Sequence, residues 1–252
     1  MKNGMNFFKK GKWLFLILIA LVILPNFLKD EPYILHVFIM TFVYLSLAQA
    51  WNLIGGYAGQ ISFANHAFFA IGAYTSTMLL IHLNLTPWIG LFAGVVIAMC
   101  IAYLLGSQLL HLKGHYFAVA TIAFAEILKL IFLSWKGVGA AYGLSLPLKM
   151  PSFYYLMWTS KLPYYYLFLI VAITSTILIY TIDRSKGGMY FRSIKQDEDG
   201  AEHRGIDTSY YKLLAFMISA GICAMIGTFY AQYILYICPR SCIDIMMSTK
   251  CI

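Results

Sequence analysis

Seven long apolar runs alternate along the chain with short polar or glycine- and proline-marked breaks, at 13–28, 33–54, 67–83, 89–110, 116–134, 163–182 and 213–236. A run of about 20 apolar residues crosses the hydrocarbon core of a bilayer as a helix. The pattern therefore predicts an all-α integral membrane protein, a polytopic bundle of about seven spanning helices. It divides the chain into a basic N-terminus (1–12), a spanning domain (13–236) and an atypical tail (237–252), with a polar island inside the spanning domain at 183–212. The first run is short and follows Lys2, Lys9, Lys10 and Lys12, which makes a signal peptide the alternative. Its exit, Leu24-Pro25-Asn26-Phe27-Leu28, has no small-x-small cleavage site, so an uncleaved span is the expectation. No internal repeat is legible.

Composition agrees. Hydrophobic residues make up 61% and charged residues 11% of the chain, with a mean hydropathy of +0.76, against about 25% charged in soluble domains. Aromatic residues at 17% suit interfacial belts. The formal charge of +8 does not indicate nucleic-acid binding, because the basic residues lie beside apolar runs. A cytoplasmic N-terminus puts eleven Lys/Arg on the cytoplasmic side: four N-terminal lysines, Lys113, and six within 183–212. Six fall outside (Lys29, Lys136, Lys149, Lys161, Arg240, Lys250), and Lys129 lies within a run. That asymmetry sets the expected orientation. Cys100 and Cys223, inside apolar runs, are expected as small core residues. Cys238, Cys242 and Cys251 match no metal spacing. The segment 135–162, punctuated by Gly137, Gly139, Gly143, Pro147 and Pro151, is expected to be an outer loop, either a connector or a surface that caps the pathway or meets an outside partner.

Four features are candidates for function. Between the second and third runs lie Asn52, Gly55, Gly56, Gly59, Gln60, Ser62, Asn65 and His66. Three glycines in five residues do not sustain a regular helix. Irregular backbone at membrane depth is tolerated where it is buried in protein or lines a cavity, so the break is a candidate translocation pathway; the alternative is a plain turn. Glu126 and Lys129, at i and i+3 in the fifth run, are expected to neutralise each other. Gly72, Gly90, Gly94, Gly106, Gly221 and Gly227 lie within runs and point to close helix packing. The polar island 183–212 carries six basic and six acidic residues. Asp197, Glu198 and Asp199 stand where a helix would start and Gly205 where it would end, predicting a short docking helix. There is no phosphate-binding Gly-x-x-x-x-Gly-Lys-Ser/Thr loop, Gly-x-Ser-x-Gly elbow or His-Glu-x-x-His motif.

Three segments in order resemble one family. The stretches AWNLIGGYAGQIS (50–62) with FFAIGAY (68–74), YFAVATIAFAEIL (116–128), and RSIKQDEDGAEHRGID (192–207) with YKLLAF (211–216) are similar to branched-chain amino acid ABC transporter permeases of the LivM type. Asp199-Gly200-Ala201-x-x-x-Gly205 falls on the Glu-Ala-Ala-x-x-x-Gly pattern that importer permeases present to their ATPase. The resemblance implies a non-enzymatic inner-membrane subunit that pairs with a second permease subunit. Two ATP-binding cassette subunits would carry ATP and Mg, and an extracytoplasmic solute-binding protein would deliver leucine, isoleucine or valine; relatives carry urea or short amides. It assigns coupling to Arg192, Glu198, Asp199, Gly200, Ala201 and Gly205, and no cofactor to this chain. The chain departs from the pattern at Ala64-Asn65-His66 and at Asp199-Gly200. After 237 it looks unlike the family, whose members continue with further spans, so a C-terminal shortening is expected. The competing reading is a stand-alone ion-coupled carrier using Glu126 or His66. A membrane enzyme built on His111, His115 and Glu126 matches no known catalytic arrangement.

Overall fold

The computed structural model describes residues 19–26, 31–110, 115–147 and 152–243. Among them, six helical segments are long and apolar enough to span a membrane. These are α2 (Pro32–Trp51) with the π-helical turn Asn52–Tyr57 that continues it, α3 (Asn65–Leu83), α4 (Pro87–Leu109), α5 (His115–Ser134), α6 (Leu162–Arg184) and α9 (Thr208–Ile234). They match six of the seven predicted spans. Half of the seventh, 13–28, lies outside the described residues, and its described part, 19–26, is a helix, α1. Between α6 and α9 lie α7 (Lys186–Gln196) and α8 (Glu198–His203), and α10 (Pro239–Cys242) follows α9.

Local sequence sets the helix ends. Prolines occupy the first turns of α2, α4 and α6, where a missing N–H leaves no bond unmade. The Asp207 carboxylate accepts the Tyr210 amide at 3.0 Å, so α9 starts before the apolar run that predicted it. Asn84 and Leu235 end α3 and α9 in the left-handed region.

The core lies where α3, α4 and α9 cross, and small residues set its spacing. A Cβ on Gly72 would lie 2.0 Å from the Ala224 carbonyl oxygen, and one on Gly227 2.0 Å from that of Phe69. A Cβ on Gly94 would lie 3.2 Å from the Gly72 Cα. Thr228 Oγ1 donates to the Gly72 carbonyl at 3.1 Å, and Ser219 Oγ donates to the Ala50 carbonyl at 2.7 Å, which ties α9 to α2. Within lipid there is no hydrophobic force between helices, so close packing and interhelical hydrogen bonds hold the bundle together. Cys223 is buried in this core, but Cys100 is exposed on α4. The expectation for Cys100 is therefore corrected: in a spanning helix both faces are apolar, and an apolar neighbourhood in sequence does not distinguish them.

At the end of the bundle away from α7 and α8, the segment after α5 is tied to the segment after α9. Two-residue strands β1 (Leu144–Ser145) and β2 (Tyr236–Ile237) pair antiparallel. The Leu146 amide donates to the Leu235 carbonyl at 2.9 Å, and the Tyr236 hydroxyl donates to the Tyr142 carbonyl at 2.7 Å. Cys242 and Ile243 are buried beyond them. Residues 136–147 therefore form a cap over this end, and residues 236–243 are part of it.

Candidate functional site

The polar island folds as two helices packed against the end of the bundle. Ser185 caps α7, and Phe191 and Ile194 bury its apolar face, with the Tyr190 and Phe191 rings against Tyr211 at centroid distances of 4.8 and 6.1 Å. Arg192 pairs with Asp183 at the end of α6, and that carboxylate holds the guanidinium pKa above its ordinary value, mainly through the hydrogen bond. In α8 the first turn carries Glu198 and Asp199, where the helix dipole favours negative charge. Its C-terminus closes in a Schellman arrangement: Gly205 N–H donates to the Glu202 carbonyl (2.8 Å) and Ile206 N–H to that of Ala201 (3.1 Å). Gly205 has φ +82°, and a Cβ there would meet nothing within 4 Å, so glycine is required for conformation and not for space. Gly200 lies beneath the Asp197 carboxylate, which a Cβ there would strike at 2.2 Å.

Two bonds lock α8 to the start of α9. Lys212, only 1% exposed, places Nζ 2.5 Å from Glu198 Oε1, and Thr208 Oγ1 donates to Glu202 Oε1 at 2.7 Å. Ala201 is buried against this chain, so its place is the anchored face of α8. The outward face is formed by Asp199, His203, Arg204 and Gly205, all exposed.

The glycine break sits at the same end of the bundle. Asn52, Gly55 and Gly56 lie in the π-helical turn. Its glycines leave room for side chains one turn back: Trp51 covers Gly55 and the Asn52 Oδ1 covers Gly56. Gly59 turns the chain at φ +74° against Lys195 of α7, and Lys195 Nζ donates to the Gly56 carbonyl at 2.7 Å. Beyond the turn, Trp51 Nε1 donates to the Ser62 carbonyl at 3.0 Å, and Phe63 N–H donates to Thr121 Oγ1 of α5 at 3.1 Å. Gln60, Ser62 and Asn65 are buried, as is His66 in the first turn of α3. Gln60 Oε1 and Asn65 Nδ2 have no hydrogen-bond partner among the described residues. A buried polar atom left unpaired costs about 1–3 kcal/mol, so a polar solute or a rearranged neighbour that satisfied these two would be favoured there.

Glu126 and Lys129 form an ion pair at 3.4 Å on α5, each side chain partly exposed at the surface of this chain. The break and this pair share α5 but do not converge: Thr121 touches the break, and the charges lie further along the helix. His115 is exposed at the start of α5; His111 and Lys113 lie outside the described residues.

The sequence reading did not single out Lys195 or Lys212 among the basic residues, nor Tyr74 and Gln232. The last two are buried under the cap, and the Tyr74 hydroxyl and both Gln232 amide atoms have no partner among the described residues. A glutamine inside an apolar run was the available signal for Gln232. Nothing local marks Lys195 or Lys212, because their partners are remote in sequence or across a turn.

Comparison with known proteins now decides the class. Residues 33–250 match the family model described as branched-chain amino acid transport system / permease component. The chain belongs to this family. The match includes the described residues 236–243 and most of the tail that the sequence reading set outside the family. Two relatives named high-affinity branched-chain amino acid transport system permease protein LivM, from Salmonella typhimurium LT2 and Escherichia coli K12, are each 26% identical over 80% of this chain. The alignment covers 53% of each relative, so this chain spans about half their length. No solved structure matches. With six apolar spanning helices and this family, the protein is a multi-pass membrane protein.

Proposed function

We propose that this permease-family chain is the membrane-spanning subunit of an ATP-driven importer of branched-chain amino acids. In this reading it sits in the inner membrane with its N-terminus and the 183–212 segment in the cytoplasm. It is not itself an enzyme: ATP and Mg are bound by two ATP-binding cassette subunits. A second permease subunit completes the pathway, and an extracytoplasmic binding protein delivers the solute. The observation that carries the reading is α8 itself, a capped two-turn helix whose inner face is anchored by Ala201, Lys212 and Thr208 and whose outer face stays exposed. A helix anchored on one side and exposed on the other suits docking into a partner's groove and transmission of the partner's movement to α9. Differential docking in two nucleotide states would then shift the spans between two arrangements.

The test is Gly205→Val. A β-branched residue cannot hold φ +82° without strain of about 1–3 kcal/mol, and α8 loses its C-terminal closure. ATP-driven leucine uptake in membrane vesicles is expected to fall at least tenfold, with capture by the binding protein unchanged. Unchanged uptake would remove α8 from the coupling role, and leucine uptake by the wild-type chain under an ion gradient without ATP would favour the carrier instead.

A further inference from the structure

We infer that the glycine break is the receiver of the coupling movement, and that Lys195 is the positioning residue that joins the two. This rests on the importer reading above. The π-helical turn ends α2 with a disturbed bonding ladder: Ala58 N–H reaches back to the Leu53 carbonyl and Gln60 N–H to that of Ile54. The Gly56 carbonyl is taken by Lys195 Nζ at 2.7 Å. Directly beside it the two backbones touch: a Cβ on Gly59 would lie 3.2 Å from the Lys195 Cα and 3.0 Å from its Cγ. Only glycine meets both demands at position 59, the close approach and the positive φ.

Lys195 is in the last turn of α7, and Asp197 is at once the C-cap of α7 and the N-cap of α8. A single extended residue, Asp197, separates the docking helix from this joint, so a displacement of α8 reaches Lys195 across one residue. On the far side the break is bonded to α5 through Phe63 N–H and Thr121 Oγ1. The break therefore bridges α7 to α5, the helix that carries the Glu126–Lys129 pair. π-turns recur at functional sites because their looser ladder yields locally, and here the looser turn lies where movement would enter the bundle. Lys195 is exposed, and a solvent-accessible charge contact adds little to static stability. Its removal therefore separates transmission from folding.

The test uses the complex purified from its own membranes and reconstituted with the binding protein and radiolabelled leucine, reading uptake per ATP hydrolysed. Loss of one exposed hydrogen bond corresponds to roughly a three- to tenfold effect. Lys195→Met, which keeps the stem over Gly59, is expected to lower uptake per ATP about three- to tenfold, with complex recovery and ATP hydrolysis preserved. Lys195→Arg, which keeps the charge, is expected to retain most of the coupling. A Met variant with wild-type uptake per ATP overturns the inference. A Met variant that loses uptake and hydrolysis together, or that fails to assemble, also overturns it in favour of a purely structural role. A wild-type chain recovered without any ATPase overturns the importer reading instead.

Discussion

Gly72→Ala is expected to abolish recovery of folded, monodisperse protein from detergent, whereas Gly221→Ala, where α9 faces α4, is expected to leave recovery unchanged. Both changes add one methyl group to a spanning helix. At Gly72 that methyl meets a carbonyl oxygen of α9 at 2.0 Å and other backbone atoms of Ala224 at 2.6 Å. Backbone inside a packed helix cannot yield, so α3 and α9 must separate, which also breaks the Thr228 bond to Gly72. Overpacking costs about 1–3 kcal/mol even where side chains can adjust, and here the helices themselves must move. At Gly221 the nearest atoms are the Met99 thioether chain at 3.4 and 3.5 Å and Val95 at 3.5 Å. Methionine is flexible and can give way, and alanine is the better helix former by about 1 kcal/mol. Size-exclusion profiles and thermal melts of the two variants side by side are the measurement. Equal behaviour would mean that the α3–α9 spacing is not set by Gly72.

Glu198→Ala carries the second large effect. It removes the counter-charge from a lysine that is almost wholly buried at the junction of α8 and α9. Breaking a fully buried pair by deleting one partner costs about 3–5 kcal/mol, and since the Glu198 side chain is partly exposed, about 2–3 kcal/mol is expected here. Much of this penalty is an ammonium left without its partner, so the double variant Glu198→Ala with Lys212→Met is expected to recover most of the loss. Thermal stability of the four members of that cycle gives the coupling directly. The double variant should still transport poorly, because an apolar contact does not fix the orientation of α8 as the pair does. If the single and double variants melt alike, the pair is not what holds α8 in place.

Much of the architecture was legible in the chain itself. Apolar run length located the spans, because hydrocarbon thickness sets a minimum number of residues for a helix to cross it. Asp197 to Asp199 marked the start of α8 and Gly205 its end, because caps act within a few residues of sequence, whereas apolar run length alone missed the Asp207 cap, and α9 starts at Thr208, ahead of its run. The six glycines read as packing positions all lie in the spanning helices, and Gly72, Gly94 and Gly227 sit directly at the α3–α4–α9 crossing. The three ordered motifs pointed to the family that the comparison then showed.

Which way each helix faces was not legible. Lipid and a packed bundle interior are both apolar, so a spanning helix carries almost no stripe to show its buried side. Cys100 was misread for that reason. Ala201 looked like a contact for a partner, yet it is turned inward by the Lys212–Glu198 pair. The glycine break could be recognised as irregular, but not that it rests on α7, since the Lys195–Gly56 bond joins residues 139 positions apart. The sequence by itself determined the number and order of the described spans and the presence of a short polar helix closed by Gly205, because run length and capping are local. Only the tertiary structure decided helix rotation, the burial of Lys212 and the meeting of the break with α7, because those follow from close approach at glycines distant in the chain.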